Sequence, residues 1–336
     1  MKELIKKILP RVIFRKLQEL KSKQILKNEF EQDFKRYFHH SDYFNHSTRE
    51  KYLSRIIHRY HPIEKGLCMP QMKFNFGKDN IIALIKDCHY YHEHYYQKGK
   101  NSEYHDSQFI EAIRILKEYQ EIHKTNKVEL ELKDEINSII NCFKDQTPSK
   151  QIKLEGSSDM WSFDFENFLR SRRSIRNFSS IPIQKEKVHK ALEIAKYYPS
   201  ACNRQPGRAS IVESEHIIQT VLRLQGGNRG FGHLVDKVII VTSELSGYRG
   251  VVERNGVYID GTIYAYNLLL SLHSQGIATC PLNWYNTTEN DQELRKICNI
   301  PQSQVVIMLI ACGSYHSDTL ITTSPKNNIE KCVQII

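Results

Sequence analysis

FLRSRRSIRNFSSIPIQKEKVHKALEIAKYYPSACNRQP, residues 168 to 206, sets two polar clusters on either side of one amphipathic helix. The first cluster gathers Arg170, Arg172, Arg173 and Arg176 around Ser174. Guanidinium forks match phosphate oxygens in pairs, and a serine hydroxyl adds a further donor, so this cluster suits an anion such as a phosphate. The second cluster, Ser200, Asn203, Arg204 and Gln205, is closed by Pro206. Its carboxamides each offer donor and acceptor, which suits a planar heterocycle carrying carbonyls and ring nitrogens. One ligand with a phosphate at one end and a heteroaromatic head at the other would satisfy both clusters. The same residue types also fit a solvated helix end followed by a plain turn, and both readings stay open on composition.

The motif wording goes further. Arg172-Arg173-Ser174-Ile175-Arg176-Asn177-Phe178, followed by Pro199-Ser200-Ala201-Cys202-Asn203-Arg204-Gln205-Pro206, resembles the paired signature of the FMN-dependent nitroreductase family. Asp260 to Cys280, then Pro281-Leu282-Asn283-Trp284, and the strand ending Ile310-Ala311-Cys312-Gly313 agree in order and position. The resemblance covers about Asp164 to the C-terminus. It implies an α+β fold, a central mainly antiparallel sheet flanked by helices, working as a homodimer with FMN at the subunit interface. It also implies hydride transfer from NADH or NADPH through FMN to a small electron-poor acceptor. In that reading Arg172, Arg173, Ser174 and Arg176 face the phosphate and ribityl end of FMN, and Lys326 supplies a second cation there. Asn203 and Gln205 hold the pyrimidine edge with Ser200 nearby. Pro281, Leu282 and Asn283 run beside flavin N5, with the Asn283 backbone N–H closest. No side chain acts as a catalytic acid or nucleophile, because the flavin carries the chemistry. The alternative is a flavin-binding scaffold or docking subunit without its own NAD(P)H turnover.

Length and charge bound the remainder. A chain of 336 residues, 40% of them hydrophobic, can bury a substantial core, and two units are expected. The net charge of +10 is concentrated in the first 60 residues, which argues against a nucleic-acid reader spread along the chain. The eight cysteines are widely separated and form no metal-ligand spacing, so they read as reduced thiols of a cytoplasmic protein with no bound metal. Cys202, inside the signature, has no histidine partner in its motif and reads as a small packed thiol.

The first half, 1–150, reads as a basic, mostly α-helical domain, and 160–336 as the FMN-binding domain. The polar stretch Lys144 to Asp159 has a linker's composition. Residues 1 to 30 carry apolar residues at helical spacing, interrupted by Pro10, with lysines and arginines around them. This stripe is expected to dock onto the aromatic-rich segment Phe30 to Tyr60. Contact with an anionic membrane is the less favoured reading. His61-Pro62-Ile63-Glu64-Lys65-Gly66-Leu67 reads as an ordered turn. Helices are expected over Asn80 to Gln97, Ser107 to His123, Leu130 to Phe143, Lys185 to Tyr197, His216 to Leu224 and Val257 to Gln275. Strands are expected over Arg208 to Val212, Lys237 to Thr242, Thr279 to Leu282 and Val305 to Cys312. The nearly all-apolar Val257 to Gln275 helix suits burial in a core or at a dimer interface. The glycine-rich Gln225 to His233 lacks a P-loop lysine and reads as a loop over a site.

Overall fold

A computed structural model describes residues 11–42, 48–69, 72–96, 107–149, 164–319, 321, 329 and 332–336. Pro10, Lys326 and most of the 144–159 stretch lie outside the described residues.

The sheet is organised around its longest strand. β1 (Phe178–Ser179), β2 (Gly207–Val212), β3 (Lys237–Glu244), β4 (Ala278–Asn283) and β5 (Gln304–Tyr315) form one sheet in which β5 pairs with β3, β4 and β1, and β2 pairs with β3. Every pairing is antiparallel; Ile239 faces Ile310, Ala209 faces Val241 and Cys280 faces Ala311. β3 is an unbroken β-branched run because both of its faces are covered. Alternate residues serve opposite layers. Ile239, Val241 and Ile310 pack with Ala265, Leu268 and Ala191 on one side. Val238, Ile240 and Leu309 pack with Ile218, Val221 and Leu294 on the other.

The helices, in chain order, are α1 (Arg11–His40), α2 (Arg49–Leu67), α3 (Lys78–Tyr91), α4 (Ser107–Thr125), α5 (Lys133–Ile140), α6 (Phe165–Ser171), α7 (Lys185–Ala195), α8 (Glu215–Gln225), α9 (Gly256–Ser274) and α10 (Thr288–Cys298). α7 and α9 cover one face of the sheet, α8 and α10 the other. α9 comes very close to the strands at Gly261, where a Cβ would sit 2.7 Å from Ile307 Cγ1 and 2.8 Å from Ser243 Cβ. β1 was not anticipated; two residues are too short to leave an alternating pattern.

α2 to α5 enclose a separate apolar cluster drawn from residues 56–143. The expected turn at His61 to Leu67 is instead the last part of α2, which runs through Pro62 without ending. Proline removes one backbone bond, but Ile56, Ile57, Tyr60, Ile63 and Leu67 all bury their side chains on one face, and that burial holds the helix together across the gap. α2 also touches the sheet domain: Ser54 Oγ donates to the Gly247 carbonyl at 3.2 Å.

Of the N-terminal stripe, residues 1–10 lie outside the described residues, and the described members Ile13, Leu17 and Leu20 are not docked. α1 has 30 residues, about 45 Å of helix. Ile13, Leu17 and Leu20 are 47%, 49% and 57% exposed. The helix is anchored by its second half, where Arg36 pairs with Asp291 at 2.7 Å, Tyr37 donates to the Gly250 carbonyl at 2.7 Å, and Thr288 donates to Glu29. Ile56, Ile57 and Tyr60 of α2 are spent on their own core.

Candidate functional site

α6 starts on Asp164, whose carboxylate accepts the Asn167 N–H at 3.0 Å, and it ends at Arg172, where the backbone turns extended. From there the chain lies along β4. Ser174 makes a parallel bridge to Thr279, and Ile175 N–H donates to the Thr279 carbonyl at 2.9 Å. The arginines of the first cluster are thus fixed at the rim of the sheet. Arg173 Nη1 turns back onto the Arg170 and Arg172 carbonyls, and Arg170 meets Glu166 at the surface. Arg172 differs from both. Its Nη1 is buried and has no hydrogen-bond partner among the described residues. A buried guanidinium nitrogen without an acceptor is costly, and a phosphate oxygen is the kind of group that would relieve it.

The titratable neighbours of the arginines in this corner are held neutral. His273 Nε2 lies 2.8 Å from Ser171 Oγ and its ring packs against Phe168. Burial, then the neighbouring Arg172, lowers the His273 pKa and favours its neutral form. Burial raises the Cys280 thiol against the opposing pull of Arg176 and Arg172, so this cysteine stays protonated and inert.

The second cluster is a strained loop held by buried charge. Cys202, Asn203 and Gln205 have φ of 52°, 54° and 51°, the left-handed region that costs a non-glycine residue roughly 1 kcal/mol or more each. Three anchors keep it there. Asp260 at the start of α9 accepts the Ala201 N–H at 3.3 Å and the Tyr248 hydroxyl at 2.8 Å. Ser200 Oγ accepts the Gln205 N–H at 3.0 Å. Arg204 is buried, donates to the Ala201 and Gly247 carbonyls, grips Glu253 at 2.9 and 3.2 Å, and stacks over Tyr248. Burial works to raise the Glu253 carboxyl, but the Arg204 bonds and the Arg249 amide outweigh it and hold it below its ordinary value. Arg204 is therefore a structural clamp, and the groups left to meet a ligand are the exposed Asn203 carboxamide and the half-buried Gln205.

Beside Gln205 a cleft of about 260 Å³ is walled on its far side by Arg49, Glu50 and Leu53 of α2. The sequence carries no local signal that places the helical half against this loop, because the contact joins residues more than 150 apart. The third segment, Pro281 to Asn283, is the end of β4, with Leu282 buried and the Asn283 carbonyl accepting from Gln225 Nε2 at 3.2 Å. Gly226 takes φ of 77° to end α8, so the glycine-rich loop begins as a helix cap beside Asn283. Trp284 donates Nε1–H to buried Asp291 at 3.1 Å, which makes it a packing residue of that hub.

α9 measures the distance between the two clusters. Ala201 touches Asp260 near its start and Ser171 touches His273 near its end, thirteen residues or roughly 20 Å further on. The two clusters are thus tied to opposite ends of the same helix.

The nitroreductase family model matches residues 169–228 and 224–314. Residues 169–314 form a nitroreductase-family domain. The chain is similar to a chloronitrobenzene nitroreductase of Comamonas testosteroni, 22% identical over 212 residues, which are 49% of this chain and 92% of that relative. Among solved structures it is similar to an FMN-dependent nitroreductase of Clostridium difficile R20291, 23% identical with TM-score 0.42, covering 50% of this chain and 96% of that one. A nitroreductase-like protein of Streptococcus mutans is 16% identical with TM-score 0.44, covering 52% and 98%. The nitroreductase domain contains both polar clusters and the β4 segment, while α1 to α5 precede the match.

Proposed function

We propose that the protein is an FMN-dependent oxidoreductase that takes hydride from NADH or NADPH and passes it to a small electron-poor acceptor, working as a two-fold homodimer. The observation that carries this reading is the buried, unpartnered Nη1 of Arg172 in a corner rich in cations. Arg172, Arg173, Ser174 and Arg176, with Lys326, would hold the phosphate and ribityl end. Asn203 and Gln205, with Ser200 behind them, would hold the pyrimidine edge, and the Pro281 to Asn283 strand would lie along the reacting edge. Bound FMN would supply the redox chemistry of the site. The protein's part is to orient it, to neutralise charge at the phosphate, and to keep the amide loop pre-set in its strained form through Arg204 and Asp260.

The roughly 20 Å of α9 between the two contact points supports the two-subunit reading. α9 carries an outward stripe of half-exposed or exposed residues, including Ile259 and Tyr266 at 59% and 51%. A two-fold axis perpendicular to α9, packing this stripe against its copy, would run the two helices antiparallel and bring the arginine end of one chain toward the amide end of the other. A reducing cytoplasmic setting fits the eight free thiols.

The test starts with the visible spectrum of the purified protein and an anaerobic titration with NADH and NADPH. Arg172→Ala removes a charge-assisted contact worth about 1.5–3 kcal/mol, so FMN binding should weaken roughly 10- to 150-fold. A colourless protein that cannot be reconstituted with FMN refutes the reading. Bound FMN without any NAD(P)H oxidation points to the scaffold alternative.

A further inference from the structure

We propose that the free face of α1 binds the surface of an anionic lipid membrane. On a helix turning about 100° per residue, Ile13, Leu17 and Leu20 fall within an arc of about 60°. All three are roughly half exposed or more, and none of α1's contacts with the sheet domain involves them. Lys16, Lys23 and Lys27 border this arc on one side and Lys21 on the other, while the acidic Glu19 lies on the opposite half of the helix, paired with Lys23 at 2.7 Å. Lysine stems can run alongside an inserted apolar strip and lift their ammonium groups to the headgroup level, so this arrangement matches an interfacial helix.

Charge selects the partner. Residues 11 to 28 hold Arg11, Arg15, Lys16, Lys21, Lys23 and Lys27 against Glu19 alone. Two such arms repel each other, which disfavours a second copy as occupant, whereas anionic headgroups attract them. The sequence ahead of α1 continues the composition, with Leu4, Ile5, Ile8 and Leu9 among Lys2, Lys6 and Lys7. No helix among the described residues is long and apolar enough to cross a membrane, so α1 would lie on the surface and not span it.

The experiment is co-sedimentation of the full chain with phosphatidylcholine vesicles and with vesicles in which about a third of the lipid is phosphatidylglycerol, at low and high salt. Binding is expected only to the anionic vesicles and is expected to weaken with salt. Each near-surface lysine multiplies partitioning about fivefold, so Lys16→Ala/Lys23→Ala should lower it roughly 25-fold. Leu17→Glu/Leu20→Glu should lower it at least tenfold, with circular dichroism and thermal melting unchanged, since neither pair supports the fold. Failure of the full chain to bind, or binding that neither double variant weakens, overturns the proposal. A change of Leu17→Glu/Leu20→Glu from dimer to monomer in light scattering, without any lipid effect, assigns the face to a second copy instead.

Discussion

Arg204→Ala tests the idea that the amide loop is held in place by one buried ion pair. The substitution removes the bonds to Glu253 at 2.9 and 3.2 Å, the donors to the Ala201 and Gly247 carbonyls, and the stacking over Tyr248 at 4.8 Å. The Arg204 side chain is 3% exposed and that of Glu253 28%. Breaking a buried pair from one side costs about 3–5 kcal/mol; Glu253 keeps some contact with water, so the lower end, about 3 kcal/mol, applies here. The strain in Cys202, Asn203 and Gln205 is of similar size, about 3 kcal/mol in sum, so the clamp and the conformation it imposes are of matching strength. Urea denaturation of the parent, Arg204→Ala, Glu253→Gln and the double variant measures the stability loss and the coupling between the two groups, and flavin titration of the same four proteins reads the loop. Because the folded Glu253 pKa is depressed, the pair's contribution is present above the ordinary carboxylate range and disappears as pH falls through the folded value. A loss below about 1 kcal/mol with unchanged flavin affinity would refute the argument.

Two further outcomes are expected. Glu244 has its pKa raised, chiefly by burial, despite the Ser246 N–H and Ser303 hydroxyl that donate to it, so its charging opposes folding: stability should decline as pH rises from the ordinary glutamate value through the folded one, and Glu244→Gln should flatten that slope in denaturation curves taken between about pH 4 and 7. Asp291→Ala leaves Arg36 and buried Arg295 without their shared carboxylate and Trp284 without its acceptor, so it should cost about 3–5 kcal/mol by chemical denaturation and free α1, which limited proteolysis near Glu29 would detect.

The parts of the fold that were legible in the sequence are those whose signal is local. Lys237 to Thr242 announces a strand covered on both faces through its β-branched run, and Val257 to Gln275 announces a buried helix through its composition; the structure extends or shifts each by only one or two residues. The arginine and amide motifs were equally plain. What spacing could not convey was partnership over long separations. Arg204 stands inside the motif among ligand-binding candidates, yet its partners lie more than forty residues away at Gly247 and Glu253, and only the fold reveals it as a clamp. Pro62 misled for a related reason: proline's local preference is real, but the helix around it is maintained by α3, α4 and α5, which no local rule sees. The exposure of α1 was hidden by the converse assumption that an apolar stripe must find cover in its own chain.

Asp291 gives α1 a mechanical character. The carboxylate that fixes Arg36 also holds Arg295 and the indole of Trp284, and Trp284 adjoins Asn283 at the end of β4. α1 is thus a lever with its fulcrum on α10: Leu17 lies nineteen residues, roughly 28 Å, from Arg36, and a small load applied there is multiplied at the pivot. Torque on the arm would reach Trp284, the neighbour of Asn283 at the end of β4, through the two charge-assisted bonds to Asp291. By reciprocity, whatever stiffens that strand also stiffens the arm.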